Sequence, residues 1–316
     1  MQNNMFNFLH KFEINQIKYK SSLLKLGNHT VLAIIALIAI GSATRVMEAG
    51  LACPDWPLCY GTFLPLDHMN LRVFLEWFHR LDAFLVGILI LTQFVLSFVW
   101  RKFLPNWLPK IYSFLVFLII LQGTLGALTV MNMLASITVM SHLLIAFILL
   151  ITAIYVNQEL SNKQMKKNIL WWKFLLSIPL FLTLVQSIIG VRLSSTWSAH
   201  LCLSMNQNCV VLNSHKLFAI PVFISITSII FISFLKFDLF KNNWKFLISA
   251  FLLLLSQIFL GILSLKTNLN EPLLIVSHQI VASLLVATLS TLMFKKSTEN
   301  ILFNSNKNKV ILSFNS

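Results

Sequence analysis

Eight long apolar runs of about 20 residues or more alternate with short polar segments along this chain of 316 residues. About 20 apolar residues in a helix cross the roughly 30 Å hydrocarbon layer of a membrane. A helix satisfies its own backbone hydrogen bonds, which an isolated strand cannot do in lipid. The pattern therefore predicts eight transmembrane helices, at 29–47, 73–100, 110–131, 136–157, 171–193, 212–236, 244–266 and 273–294.

Composition excludes a soluble globular protein. Hydrophobic residues make up 57% of the chain and charged residues 11%, against about 25% charged in soluble domains, and the mean hydropathy is +0.81. The first apolar run follows a polar segment, 1–28, and ends at Thr44-Arg45 without a small-residue cleavage site. We therefore expect it to be a retained helix and not a signal peptide.

The positive charge of the chain is a topology signal. Of the 24 Lys and Arg residues, 18 fall in the two tails and in alternate loops, all on one predicted side of the membrane. By the positive-inside rule this side is the cytoplasm, so both termini are cytoplasmic. This distribution explains the net charge of +14 better than nucleic-acid binding does. A bacterial cell membrane fits this topology, and a thylakoid membrane is not excluded by it.

All four cysteines fall on the opposite, outer side. Cys53 and Cys59 lie in the first outer loop, and Cys202 and Cys209 lie in the third. Close pairs that face an oxidising compartment are typical of disulfides. We expect two short-range disulfides, Cys53–Cys59 and Cys202–Cys209.

Four histidines reveal an internal repeat. His79 and His142 are 63 residues apart, and so are His215 and His278. Each lies a few residues inside the outer end of helix 2, 4, 6 or 8, so all four share one depth. The chain is thus predicted to be an all-α membrane protein of two tandem pseudo-symmetric four-helix bundles. Two imidazoles at one depth in each bundle are what the paired axial ligands of a haem require. Histidines hydrogen-bonded within the bundle are the alternative.

Four cations lie beside the histidine level on the outer side. Haem propionates need such partners where they meet water, although basic side chains at a membrane surface also extend toward water without any ligand. The propionate-binding candidates are Arg45, Arg80, Arg192 and Lys216.

The two halves differ at one position that bears on chemistry. Glu76 precedes His79 by one helical turn, whereas Leu212 occupies the equivalent place before His215. A carboxylate within a membrane helix is costly and is a functional candidate by default. Beside a haem it can exchange protons with a reacting group. A structural salt bridge to Arg80 or Arg45 is the alternative.

Together these motifs resemble the signature of the haem A synthase family. The resemblance covers about 30–295 and depends most on the specific run Cys53-Pro54-Asp55-Trp56-Pro57-Leu58-Cys59-x-Gly61. The other matching elements are Thr44-Arg45, Gly50-Leu51, Glu76-x-x-His79-Arg80, Gln122-Gly123-x-Leu125-Gly126, His142 and the second-half histidines.

The resemblance implies an oxidoreductase that converts the ring-position-8 methyl group of haem O into a formyl group. Haem O, the substrate, would bind between His79 and His142 in the N-terminal half, 29–157, and leave as haem A, with Glu76 as the catalytic carboxylate. Haem B, the cofactor, would bind between His215 and His278 in the C-terminal half, 173–295. A linker, 158–172, and tails 1–28 and 296–316 complete the predicted organisation.

The resemblance also implies a place in cytochrome c oxidase assembly, next to a haem O synthase, and leaves homo-oligomers open. A non-catalytic di-haem electron-transfer cytochrome is the chief alternative function, since it shares the four histidines but has no need of Glu76. A transporter is disfavoured, because no acidic ion site lies at matching midplane positions of the repeats.

Overall fold

The computed structural model describes residues 2–161, 170–195 and 209–295. Eight long helices run through these residues, and all eight are long and apolar enough to cross a membrane. They are α1 (Gln2–Val46), α2 (Leu71–Val99), α3 (Leu108–Met131), α4 (Ser136–Ser161), α5 (Leu170–Ser195), α6 (Val210–Leu235), α7 (Phe237–Lys266) and α8 (Pro272–Phe294). The predicted all-α membrane fold with eight spans is confirmed.

Helix α1 is much longer than its predicted span. It begins at Gln2, not near residue 29, and its first half packs on the bundle: Leu23 is fully buried and Tyr19 stacks on Trp100 after α2, with ring centroids 4.6 Å apart. The prediction failed here because hydropathy detects contact with lipid, whereas Lys, Gln and Leu all favour helix regardless of the solvent. Helix α7 likewise begins several residues before its predicted start.

Helix packing divides the described helices into two groups that share a core. Contacts join α1, α2, α3 and α4 in one ring, and α5, α6, α7 and α8 in a second ring. Helix α8 also packs on α1 and α4, and α5 on α4. A single hydrophobic cluster runs through all eight helices and includes Val86 in the first group and Val286 in the second, both fully buried. The pseudo-symmetry of the two groups stays a prediction.

A loop between α1 and α2, called the outer loop here, covers the end of the first group that the sequence predicts to face outward. It contains a short 3-10 helix, Leu66–His68, and an antiparallel bridge between Cys59 and Thr62. Helix α2 then begins after Asn70, whose side-chain oxygen caps it by accepting hydrogen bonds from the backbone N–H groups of Arg72 and Val73. The cap fixes where α2 starts, and therefore where the residues of its first turns meet the loop.

Candidate functional site

A cavity of about 610 Å³ lies within the first helix group, inside the range typical of small-molecule sites. Its wall is mostly apolar, and helices α1 to α4 and the outer loop supply most of it. Five predicted site residues line it together: Arg45, Glu76, His79, Arg80 and His142. The structure therefore brings the whole first-half set predicted from sequence into one place.

Each of the four predicted histidine ligands lies against a glycine of the preceding helix. A Cβ atom on these glycines would meet the Cε1 atom of the facing imidazole at 3.5 Å or less. The pairs are Gly41 with His79 (2.8 Å), Gly126 with His142 (3.5 Å), Gly190 with His215 (2.9 Å) and Gly261 with His278 (3.2 Å). Gly41, Gly190 and Gly261 thus form cradles that a Cβ would narrow, whereas a Cβ on Gly126 would make an ordinary contact with His142.

The histidine pair of the second group has the separation that one metal ion needs. The ring centroids of His215 and His278 are 6.4 Å apart. A metal ion between two imidazoles makes two bonds of about 2.0–2.1 Å, and each ring centre lies about 1 Å beyond its bonding nitrogen. In a straight line these lengths put the two ring centres roughly 6 Å apart. Nδ1 is buried without a hydrogen-bond partner in both rings, as it is in His79 and His142, among the residues that the structure describes. The separation of His215 and His278 therefore fits two ligands of one iron.

Glutamines lie beside the second histidine pair. The side-chain nitrogen of Gln257 is 3.0 Å from Nε2 of His278. That of Gln186 donates to the backbone oxygen of His215 at 2.8 Å and lies 3.5 Å from its Nε2. These amides orient the rings, and an iron bound at either Nε2 would take the place of the contact there.

Glu76 joins the cavity wall to the outer loop. The residue is 3% exposed, its Oε2 accepts a hydrogen bond from the backbone N–H of Cys53 at 2.8 Å, and its Oε1 pairs with Nη2 of Arg80 at 2.6 Å. The salt bridge considered from sequence is therefore present, with Arg80. It holds the carboxylate in place one helical turn from His79, which a catalytic role also requires.

The outer loop closes the cavity through contacts with one face of α2. Cys53 and Cys59 form the predicted disulfide, with their sulfur atoms 1.98 Å apart. Nη1 of Arg80 donates to the carbonyl oxygens of Asp55 and Leu58. Nε1 of Trp77 donates to the carbonyl oxygen of Phe63 at 2.7 Å. The segment from Trp56 to Cys59 lines the cavity, so the motif that was most specific in sequence is its outer wall.

Asp55 stabilises the turn of this loop. Its carboxylate accepts hydrogen bonds from the backbone N–H groups of Gly61 at 2.9 Å and Tyr60 at 2.6 Å, while Gly61 has a φ of +71°, which favours glycine. These hydrogen bonds hold the pKa of the Asp55 carboxyl below its usual range, and the one from Gly61 has the larger effect. The ionised form therefore stabilises the loop above the ordinary pKa of an aspartate, and this support is lost as the pH falls through the lowered value.

The remaining predicted positions fall into two groups. Arg192 and Lys216 are exposed and do not line the cavity. Cys209, directly before α6, is disulfide-bonded, and Cys202 lies outside the described residues, so the second predicted pairing stays a prediction.

The sequence pattern of a known family matches residues 26–290 of this chain; its description is cytochrome oxidase assembly protein. The chain belongs to that family. The match takes in all eight helices, the four histidines, Glu76 and the disulfide loop.

Curated relatives with similar sequences include haem A synthases. The chain is 31% identical to heme A synthase of Shewanella oneidensis over 200 residues, which is 56% of this chain and 58% of the relative. It is 35% identical to heme A synthase of Shouchella clausii over 107 residues, 33% of this chain and 35% of the relative. A shorter match, 36% over 68 residues, is to protoheme IX farnesyltransferase of Haloarcula marismortui, and covers 22% of this chain and 14% of that protein. The aligned segments thus cover from about one seventh to about three fifths of the relatives' own lengths.

Sequence reasoning missed several residues at or near the site in this family member. Gly41 and Gly190 were not singled out, although each lies on the helix before a histidine-bearing helix. Asp82, one turn after His79, has a buried Oδ2 without a hydrogen-bond partner among the described residues. It carries the same signal, a carboxylate within a membrane helix, that drew attention to Glu76. Gln279 lines the first-group cavity although it belongs to α8.

We expect Gly190→Ala to weaken haem retention by the second histidine pair about 10-fold or more, the effect typical of altered groups that orient metal ligands. The added Cβ would lie 2.9 Å from Cε1 of His215, so the ring must shift. Haem titration of the purified variant measures this. Gly87→Ala is the matched control, because a Cβ there meets nothing within 4 Å. Equal retention in both variants would show that the cradle does not position the ring.

Proposed function

We propose that this protein is a haem A synthase, which oxidises the ring-position-8 methyl of haem O to a formyl group. The observation that carries the proposal is the first-group cavity, where a histidine pair and a buried carboxylate meet. The second histidine pair has Leu212 in place of that carboxylate. Family membership and the named relatives support the same activity.

In the proposed site, His79 and His142 would hold the iron of haem O. Gly41 leaves room for the His79 ring, and the mostly apolar walls would accept the macrocycle. Arg45 lies one helical turn beyond Gly41 toward the outer end of α1, and Arg80 reaches outward to the loop carbonyls. Both would meet the propionates, and Arg80 has further N–H donors after its loop contacts.

Glu76 would accept a proton at its carboxylate from the carbon substituent under oxidation. Conversion of a hydroxymethyl group to a formyl group passes two electrons to an acceptor supplied from outside this chain and releases two protons, so a base beside the reacting carbon promotes it. Arg80 keeps the carboxylate oriented, and the disulfide loop excludes water from the outer end of the cavity. The bound haem itself supplies the iron chemistry.

The second pair, His215 and His278, would bind haem B. Their 6.4 Å ring separation and their glycine cradles suit an iron held from both faces. Without a carboxylate at position 212, this site is proposed as a cofactor site and not a second site of substrate oxidation. Arg192 and Lys216, which are both exposed, would be its propionate partners.

The proposed setting is a cell membrane, with both termini in the cytoplasm. Haem A would pass to cytochrome c oxidase assembly, as the family description suggests. Haem O would come from a haem O synthase, and the short match to a protoheme IX farnesyltransferase points to the same haem pathway.

Pigment extraction tests the proposal. The protein is produced in a host that makes haem O but no haem A, and the extracted haems are separated by chromatography. We expect haem A together with haem B in the extract of the purified protein. Haem B alone, with haem O left unchanged in the membranes, would instead indicate a di-haem electron-transfer cytochrome.

A further inference from the structure

Gln279 is a second-group residue that lines the first-group cavity. It follows His278 directly on α8. Adjacent residues on a helix point about 100° apart, so while His278 faces His215, the next side chain turns toward α1 and α4. Both of these helices pack on α8. The cavity wall accordingly includes Gln279 beside the residues of the first group.

The amide of Gln279 has hydrogen-bonding capacity that the protein does not use. Its side-chain nitrogen is buried and has no hydrogen-bond partner among the described residues. Native proteins seldom leave a buried donor unpaired, because removing it from water without a partner is costly. The equivalent residue after His142 is Leu143, whose side chain has no polar group that needs a hydrogen-bond partner. An amide in this apolar wall therefore points to a ligand oxygen.

The depth of Gln279 along α8 limits which ligand oxygen can accept its hydrogen bond. Gln279 is seven residues after Pro272, the first residue of α8, and His142 is six residues after Ser136, the first residue of α4. At 1.5 Å per residue, both lie about 10 Å inside the outer helix ends. Gln279 is thus level with a ligand of the proposed haem O iron, whereas Arg45 lies farther out.

The order of substituents around the porphyrin ring then selects one group. With the propionates at positions 6 and 7 directed to Arg45 and Arg80, position 8, on the same pyrrole as position 7, would lie at the side of the ring. The hydroxyl group of the farnesyl-bearing substituent, at position 2, would lie on the inner edge. The substituent at position 8 is the one that gains an oxygen atom during the proposed reaction.

We propose that Gln279 donates a hydrogen bond from its side-chain amide to the oxygen on the position-8 carbon, in the hydroxylated intermediate and in the formyl product. This inference rests on the proposed function. Gln279 is a positioning residue: it holds the half-oxidised substituent in the cavity that Glu76 also lines until the second oxidation. It also makes the second helix group part of the substrate site of the first.

The test compares Gln279→Met, which keeps length and removes the amide, with wild type in the haem O-producing host. Losing one neutral hydrogen bond should raise the ratio of hydroxylated haem to haem A in the extract about five-fold. In purified protein carrying haem A, resonance Raman should show the formyl C=O stretch at a higher frequency than in wild type. Gln279→Leu, which copies Leu143, should behave in the same way.

Ser283→Ala is the control on the same helix. Ser283 is buried, and its hydroxyl donates within the helix to the carbonyl of Ile280 at 2.8 Å, so this change should leave both readouts unchanged. Retained haem B absorbance shows that each variant is folded. An unchanged haem ratio and an unchanged formyl frequency in both Gln279 variants would overturn the inference alone. A wild-type protein that makes no haem A would overturn the proposed function together with it.

Discussion

Glu76→Gln should lower the yield of haem A at least about 100-fold, since positioned general bases contribute about 10²–10⁴ in rate. The amide oxygen still accepts the hydrogen bond from Cys53, so the outer loop keeps its anchor, but the side chain no longer takes a proton. The measurement is haem A per haem B in extracts from cells that supply haem O. Glu76→Ala should also abolish the product while haem stays bound. It also removes the hydrogen bond to the backbone N–H of Cys53 and the ion pair with Arg80. The glutamine variant is therefore the cleaner test.

Glu48→Gln is the matched control for this experiment. Glu48 is an outer-side carboxylate paired with an arginine, Arg72, at 3.4 Å, but it is exposed and does not line the cavity. Its variant should make haem A normally. A normal yield from Glu76→Gln as well would reject the catalytic role and leave Glu76 as a loop anchor only.

His278→Ala and His215→Ala should each remove most of the haem B from the purified protein while the helices persist. The two rings face each other across 6.4 Å, so neither has a substitute ligand on its own side of the iron. Reduced-minus-oxidised spectra and extracted haem per protein measure the loss. Helical content by circular dichroism should not change, because neither ring belongs to the shared hydrophobic core.

Two comparisons make this result specific. His79→Ala should retain haem B, because His79 belongs to the other pair. His29→Ala should retain both pigments: His29 is exposed on α1 and its Nδ1 bonds to the carbonyl of Lys25 in the same helix. Unchanged haem B in the His215 and His278 variants would reject the assignment of ligands.

The membrane fold was predictable because its cause is local. A run of about 20 apolar residues specifies a spanning helix whatever its neighbours are, so spans such as Ser136–Ser161 and Pro272–Phe294 begin at or within one residue of the prediction. The beginning of α1 was not predictable in this way. Its residues before position 29 are polar enough for water and yet pack on the bundle through side chains such as Leu23.

The grouping of the histidines into two matched pairs could be predicted, because the 63-residue spacing, which occurs twice, is a property of the chain alone. Glu76 could be predicted because a carboxylate is rare in a membrane helix. The glycine cradles could not be predicted, because the role of such a glycine depends on the imidazole that the next helix places against it. Nothing near Gly190 in sequence indicates that His215 lies within 2.9 Å of its missing Cβ.

The sequence by itself thus determined the number of helices, most of their ends, the residues of the candidate haem sites and the pairing of Cys53 with Cys59. It did so because hydropathy, residue spacing and the closeness of two cysteines act over short stretches of chain. Only the tertiary structure decided which residues share a cavity. It joined Glu76 to Arg80 and to the disulfide loop, and it brought Gln279 of the second helix group into the wall of the first. Those contacts depend on how whole helices pack, and the order of residues along any one helix does not specify that.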